Sequence, residues 1–163
     1  MPQFMIYLDM DGVLADFYKE YIKIDPEKSD RKKFRDAVMV DHIFEKLDFL
    51  PDTQKLLDYV STLENTKIEI LTSMGTFNYT QGTEAKRQKL NWLQAKNITY
   101  HANFVNCKEE KAQYACKHCI LIDDSVGCID PFVKKGGIGI LHTSADRTIE
   151  ELNEIYTVMR LYA

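Results

Sequence analysis

Short, mostly apolar runs alternate along the chain with amphipathic stretches. Phe4-Met-Ile-Tyr-Leu8 ends in Asp9, and residues 68–71 end in Thr72-Ser73. Residues 119–122 end in Asp123-Asp124, and residues 138–141 end in His142-Thr143. Runs without polar alternation suit strands buried on both faces of a parallel sheet. Residues 103–107 predict a weaker fifth strand. Between them, Leu56, Leu57, Val60 and Leu63 share one face of a helix opened by Pro51-Asp52. Residues 84–96 predict a polar helix carrying Leu90 and Leu93. Ile149, Leu152, Ile155, Met159 and Tyr162 predict a C-terminal amphipathic helix, with Thr148 and Glu151 at capping-box spacing. The alternation predicts an α/β fold, a Rossmann-like parallel sheet flanked by helices with right-handed crossovers. Residues 16–50 are too many for a simple strand-to-helix turn. They read as two or three helices, with Phe17, Tyr18, Tyr21 and Ile22 on one face and Phe34, Ala37 and Val38 on another.

Length and charge narrow the class. A chain of 163 residues suits one domain, 1–163. Its 45% hydrophobic and 28% charged content is globular, and a net charge of −4 lacks the basic footprint of a non-specific nucleic-acid binder. No apolar stretch approaches the roughly 18 residues of a membrane span. The five-residue run before Asp9 is short for a signal peptide, so a cytoplasmic protein is expected. Cys116-Lys-His-Cys119 has the spacing of half a zinc site or of a redox pair. Cys107, His118 and Cys128 form no second close pair, and the expectation is reduced structural thiols, with redox chemistry and zinc as alternatives.

The polar residues at the strand ends carry the chemistry. In an open parallel sheet, ligands bind beyond the carboxyl ends of the strands. Those ends bear Asp9 and Asp11, Thr72 and Ser73, and Asp123 and Asp124. Any one strand-end acid could simply cap a helix. Four carboxylates at one edge repel each other, and burying them unpaired would cost several kcal/mol. A bound cation resolves the conflict, and an all-oxygen set suits Mg²⁺ rather than zinc.

Three motifs resemble a known family. Asp9-Met-Asp11-Gly-Val-Leu-Ala-Asp-Phe17 resembles motif I of the haloacid-dehalogenase-like (HAD) phosphohydrolases, Leu71-Thr-Ser73 their motif II, and Leu121-Ile-Asp-Asp-Ser125 their motif IV. The motifs stand in the family's order, each at a strand end. Within the superfamily, the first stretch, the Asp123-Asp124 pair and the late Gly-Gly-Ile-Gly-Ile-Leu-His segment are most similar to the 5′(3′)-deoxyribonucleotidases. The resemblance implies a small helical cap, residues 16–50, inserted after the first strand and closing over the site. It implies a Mg²⁺-dependent phosphomonoesterase with Asp9 as nucleophile and Asp11 as general acid and base. Mg²⁺ would sit on the Asp9 carboxylate, the Asp11 backbone carbonyl and Asp124, with Asp123 the second choice of that pair.

Thr72 and the Ser73 amide would hold the phosphoryl oxygens. Lys111, at the start of a short helical segment before the Cys119 strand, takes the place of the motif III lysine. Lys89, in a Lys-x-x-Trp pattern similar to that of the deoxyribonucleotidases, is the next candidate. Phe17 matches the position whose ring packs beside the base, although the rest of the cap departs from the family's pattern and shows no aromatic cluster to complete a base pocket. The implied substrate is a deoxynucleoside monophosphate. A sugar phosphate or a 3′-phosphorylated nucleic-acid end is the alternative, and a catalytically silent HAD-like binding module is the non-enzymatic one. Lys28, Arg31, Lys32, Lys33 and Arg35 read as a solvated cap face, or as steering for an anionic substrate. The loop 74–83, which follows motif II directly, is a further candidate substrate contact. A homodimer is compatible with the sequence.

Overall fold

The apolar runs pair side by side as one parallel sheet. Its strands are β1 (Phe4–Leu8), β2 (Thr66–Ser73), β3 (Ala102–Val105), β4 (Cys119–Asp123) and β5 (Ile138–Leu141). They lie in the order β3-β2-β1-β4-β5. The structure is a computed structural model that describes residues 3–162. Leu8 stands opposite Ile70 on one side and Ile122 on the other, so β1 is central. The chain runs outward through β2 and β3, then returns to the far side of β1 to lay down β4. That reversal puts a topological switch point, where α/β sheets bind ligands, between the ends of β1 and β4.

Helices cover both faces, which explains why β1 and β4 show no alternation. Ile6, Leu8, Ile70, Ile120, Ile122 and Ile140 belong to a core shared with α3 (Thr53–Val60), α4 (Tyr79–Ala95) and α6 (Ala145–Leu161). Tyr7, Leu71, Val105 and Leu121 pack on the other face with Cys128, Ile129 and Phe132 of α5 (Val126–Lys134). No helix among the described residues is long and apolar enough to cross a membrane.

Three local expectations are corrected. Helix α6 starts earlier than the capping-box reading: Ser144 is its N-cap and its hydroxyl accepts from the Arg147 amide at 3.2 Å. Thr148 therefore lies a turn inside, buried, with its hydroxyl 2.7 Å from His142 Nδ1, and Tyr162 is exposed at the far end. Helix α4 starts at Tyr79, capped by Asn78. Its buried face carries Ala85, Gln88, Lys89, Trp92 and Leu93, whereas Leu90 is exposed. Cys116 and Cys119, expected as reduced thiols, are joined in a disulfide. The two-residue spacer leads directly into β4 and sets the Cα atoms 4.9 Å apart, inside the range a disulfide spans. Cys107 and Cys128 are free.

The insert between β1 and α3 is helical, with α1 (Phe17–Tyr21), α2 (Asp30–Met39) and a 3₁₀ turn at Ile43–Glu45. Its ends meet. The Asp16 amide donates to the Asp48 carbonyl at 2.9 Å and the Leu50 amide to the Leu14 carbonyl at 3.1 Å. The insert is also fastened to α4. Gln88 accepts from the Phe44 amide at 3.3 Å and donates to the Val38 carbonyl at 2.7 Å, and the Trp92 indole donates to the Leu47 carbonyl at 2.7 Å.

Candidate active site

The switch point brings the strand-end acids together. Asp9 leaves β1 with its amide on the Ile122 carbonyl at 3.0 Å, beside Asp123, the last residue of β4. The next residues fold into a tight loop in which the Met10 carbonyl accepts the amides of Val13, Leu14 and Ala15. Gly12 makes that loop possible. Its φ is +83°, and a Cβ there would collide with the Asp124 carboxylate. The loop backbone and Asp124 are thus packed against each other without a side chain between them.

Two buried lysines organise the carboxylates. Lys111, on a 3₁₀ segment at Lys108–Tyr114, places Nζ 2.9 Å from Asp9 Oδ1 and 2.6 Å from Asp123 Oδ2. The Ser125 amide donates to the other oxygen of Asp123 at 3.0 Å. Lys89, fully buried on α4, donates to Asp11 Oδ2 at 2.9 Å and to Thr72 Oγ1 at 2.7 Å. Its ammonium also lies 4.4 Å from the centre of the Phe44 ring of the insert. The remaining oxygen of Asp11, Oδ1, is buried with no hydrogen-bond partner.

Burial and mutual repulsion set the proton affinities. Burial raises the pKa of Asp11, opposed by the Lys89 charge and reinforced by Asp9. Burial and then Asp9 push Asp123 up to about 6 against the pull of Lys111, and lost hydration with Asp9 and Asp123 nearby pushes Asp124 up to about 7. Burial alone would lower Lys111, but its two carboxylates outweigh it and hold the ammonium above the usual lysine range. Burial pushes the Cys128 thiol up to about 12, so it stays neutral beside them.

Charge and geometry both fit a divalent cation. One carboxylate oxygen each from Asp9, Asp123 and Asp124 lie within 4.8 Å of one another. Asp9, Asp11 and Asp123 share two ammonium groups, and the fourth carboxylate, Asp124, pairs with neither. When all are ionised, two negative charges are left over. An all-oxygen donor set of this size suits Mg²⁺.

A cleft of about 410 Å³ opens over these groups. Asp9, Asp11, Phe17, Ser73, Lys111, Asp123 and Asp124 line it. Thr72 and Lys89 are fully buried and are not among its lining residues; Lys89 ties Thr72 to Asp11. The aromatic cluster that sequence reading missed is present. Phe17, Tyr18, Phe34 and Phe44 share the cleft wall, with Phe17 and Phe44 stacked at 5.6 Å and Phe34 edge-on to Phe44 at 6.3 Å. These rings come from α1, α2 and the 3₁₀ turn, so no single periodicity joins them. Lys108, a lower-ranked candidate for the motif III lysine, also lines the cleft, and so does Cys128, which no motif announced.

No family model matches the chain, and no curated protein matches it in sequence. Solved structures do. A hydrolase from Streptococcus pneumoniae TIGR4 is 16% identical with a TM-score of 0.59, covering 94% of this chain and 100% of its own. L-2-haloacid dehalogenase from Xanthobacter autotrophicus is 11% identical with a TM-score of 0.55, covering 94% and 83%. The chain has the HAD-like fold. A HAD family hydrolase from Deinococcus radiodurans R1, solved with bound phosphate and sodium, is 12% identical with a TM-score of 0.52, covering 93% and 88%. The HAD-like architecture expected from the strand-end motifs is therefore the one observed, with the acids at its switch point.

Proposed function

We propose that the chain is a Mg²⁺-dependent phosphomonoesterase acting through an aspartyl-phosphate, with a deoxynucleoside monophosphate as substrate. The observation that carries the reading is Asp11, whose Oδ1 is buried, unpartnered and held by burial at raised proton affinity beside a second carboxylate. A carboxyl whose proton affinity is raised is suited to the general-acid role, in which it hands a proton to the leaving oxygen. An Asp9 oxygen attacks phosphorus and the bond to the ester oxygen breaks, with Asp11 supplying the leaving oxygen's proton. Water then attacks the phosphorus, Asp11 takes the water's proton back, and the bond to Asp9 breaks to release phosphate. Lys111 holds Asp9 in place and offsets negative charge in the cleft, while Lys89 orients Asp11. Mg²⁺ held by Asp9, Asp124, Asp123 and the Asp11 carbonyl would screen an anionic nucleophile from an anionic phosphate. Ser73, at the cleft wall, would meet the phosphoryl oxygens, while Thr72 is buried against Lys89.

The stacked Phe17 and Phe44 rings support a planar base as the group beyond the phosphate. The test is phosphate release from deoxynucleoside 5′- and 3′-monophosphates, ribonucleotides and sugar phosphates, with Mg²⁺ and with EDTA. Release from the deoxynucleotides that needs metal and vanishes in Asp9→Asn is expected. Release confined to sugar phosphates would keep the chemistry and reject the nucleotide, and no release from any would reject both.

A further inference from the structure

The catalytic cleft does not end at its aromatic wall. Phe34 and Gly75 line it and also line a neighbouring groove of about 740 Å³, forming a sill between the two. Gly75 has a φ of +73°, and a Cβ there would sit 2.8 Å from Phe34 Cζ, so a larger residue would strain the backbone and displace the ring from the sill. The groove runs between α2 and the segment after β2. Arg31, Lys32 and Arg35 line it with a single carboxylate, Asp30, in a chain whose net charge is −4. Arg31 and Lys32 have no carboxylate within 4.0 Å among the described residues, and Arg35 meets Asp36 only at 3.4 Å. Phe77, 72% exposed, forms part of the same wall.

A nucleoside monophosphate occupying the cleft would leave this groove to solvent. Guanidinium forks match phosphate oxygens, and an exposed aromatic ring is a stacking surface for a base. We propose that the groove is a second anion subsite, which takes a further phosphate of the substrate whose scissile phosphate lies at Asp9. This rests on the phosphomonoesterase reading and extends its substrate from one phosphate to two: the preferred substrate carries a second phosphate beyond the one hydrolysed. A nucleoside 3′,5′-bisphosphate and a 3′-phosphorylated dinucleotide both offer that chemistry.

The test is calorimetric affinity, measured in EDTA to stop turnover, for a deoxynucleoside 3′-monophosphate, its 3′,5′-bisphosphate and a 3′-phosphorylated dinucleotide. The intact protein is compared with the combined Arg31→Gln, Lys32→Gln, Arg35→Gln variant. A second phosphate is expected to tighten binding about tenfold in the intact protein, less at raised salt, and the variant is expected to lose the difference. Gain for the bisphosphate identifies a small nucleotide as the source of the second phosphate, and gain for the dinucleotide alone identifies a strand. Equal affinities in the intact protein, or a gain the variant retains, would overturn the subsite. Phosphate release with Mg²⁺ is read alongside. If the gain holds but nothing is hydrolysed, the subsite stands and the phosphomonoesterase reading falls; hydrolysis with equal affinities gives the reverse.

Discussion

Replacing Lys111 with methionine removes the one ammonium between Asp9 and Asp123. At 2.9 and 2.6 Å, each contact is worth about 6 kcal/mol with an effective dielectric near 20. Burying the lysine takes several of those back, which leaves about 3–5 kcal/mol as the cost of breaking such a buried arrangement. The loss should depend on pH. Asp123 already titrates at about 6 with the lysine present, well above an unfolded aspartate near 3.9. Without the ammonium its folded pKa rises further. A carboxyl that binds its proton more tightly folded than unfolded favours folding at low pH, and that advantage disappears as pH rises through the folded value. Urea unfolding in EDTA should therefore show a gap between intact protein and Lys111→Met that is small near pH 4 and widens to its full size by pH 8. A gap below about 1 kcal/mol, or one that does not change with pH, would refute the electrostatic account of the clamp.

Two further outcomes follow from buried polar contacts. Gln88→Ala leaves the Phe44 amide and the Val38 carbonyl without their partner, so it should destabilise the protein by about 1–3 kcal/mol, whereas Gln54→Ala on an exposed face should cost far less; equal midpoints in chemical denaturation would contradict this. Burial holds the His142 imidazole below its usual pKa, so as pH falls below about 6.5 the unfolded chain takes up a proton first and stability declines by up to about 1.4 kcal/mol per pH unit, until the folded ring is also protonated. His142→Gln should lack that part of the acid decline, and superimposable profiles for the two proteins would count against it.

The sheet was readable because most of its strand positions are apolar on both faces, and the candidate site because β1, β2 and β4 end in or beside oxygen-bearing side chains at a switch point. Less could be read where burial and polarity part company. Gln88 and Lys89 lie on the inner face of α4, yet a hydropathy pattern assigns them to solvent; only their partners in the insert and at Asp11 make the burial tolerable. The aromatic wall was hidden for a different reason. Phe17, Phe34 and Phe44 belong to three separate elements, and their meeting depends on how α1, α2 and the 3₁₀ turn pack, which no local spacing encodes. Thr148 shows the cost of reading a cap from spacing alone, since the helix had already begun at Ala145. For the cysteines, compartment outweighed proximity in the sequence reading, and proximity decided the structure.

The paired segments at Leu14–Asp16 and Asp48–Leu50 give the insert a closed neck. A segment that leaves and rejoins its host at one point can lengthen, shorten or be exchanged without rerouting the chain on either side. Asp9 and Asp11 lie before that neck, and Lys111, Asp123 and Asp124 lie far beyond it. Phe17, Phe34, Phe44 and the groove's cations all lie within it. The proposed substrate contacts are therefore separated from the proposed reacting acids, and a lineage could retune the former while the acids at the sheet edge stay in register.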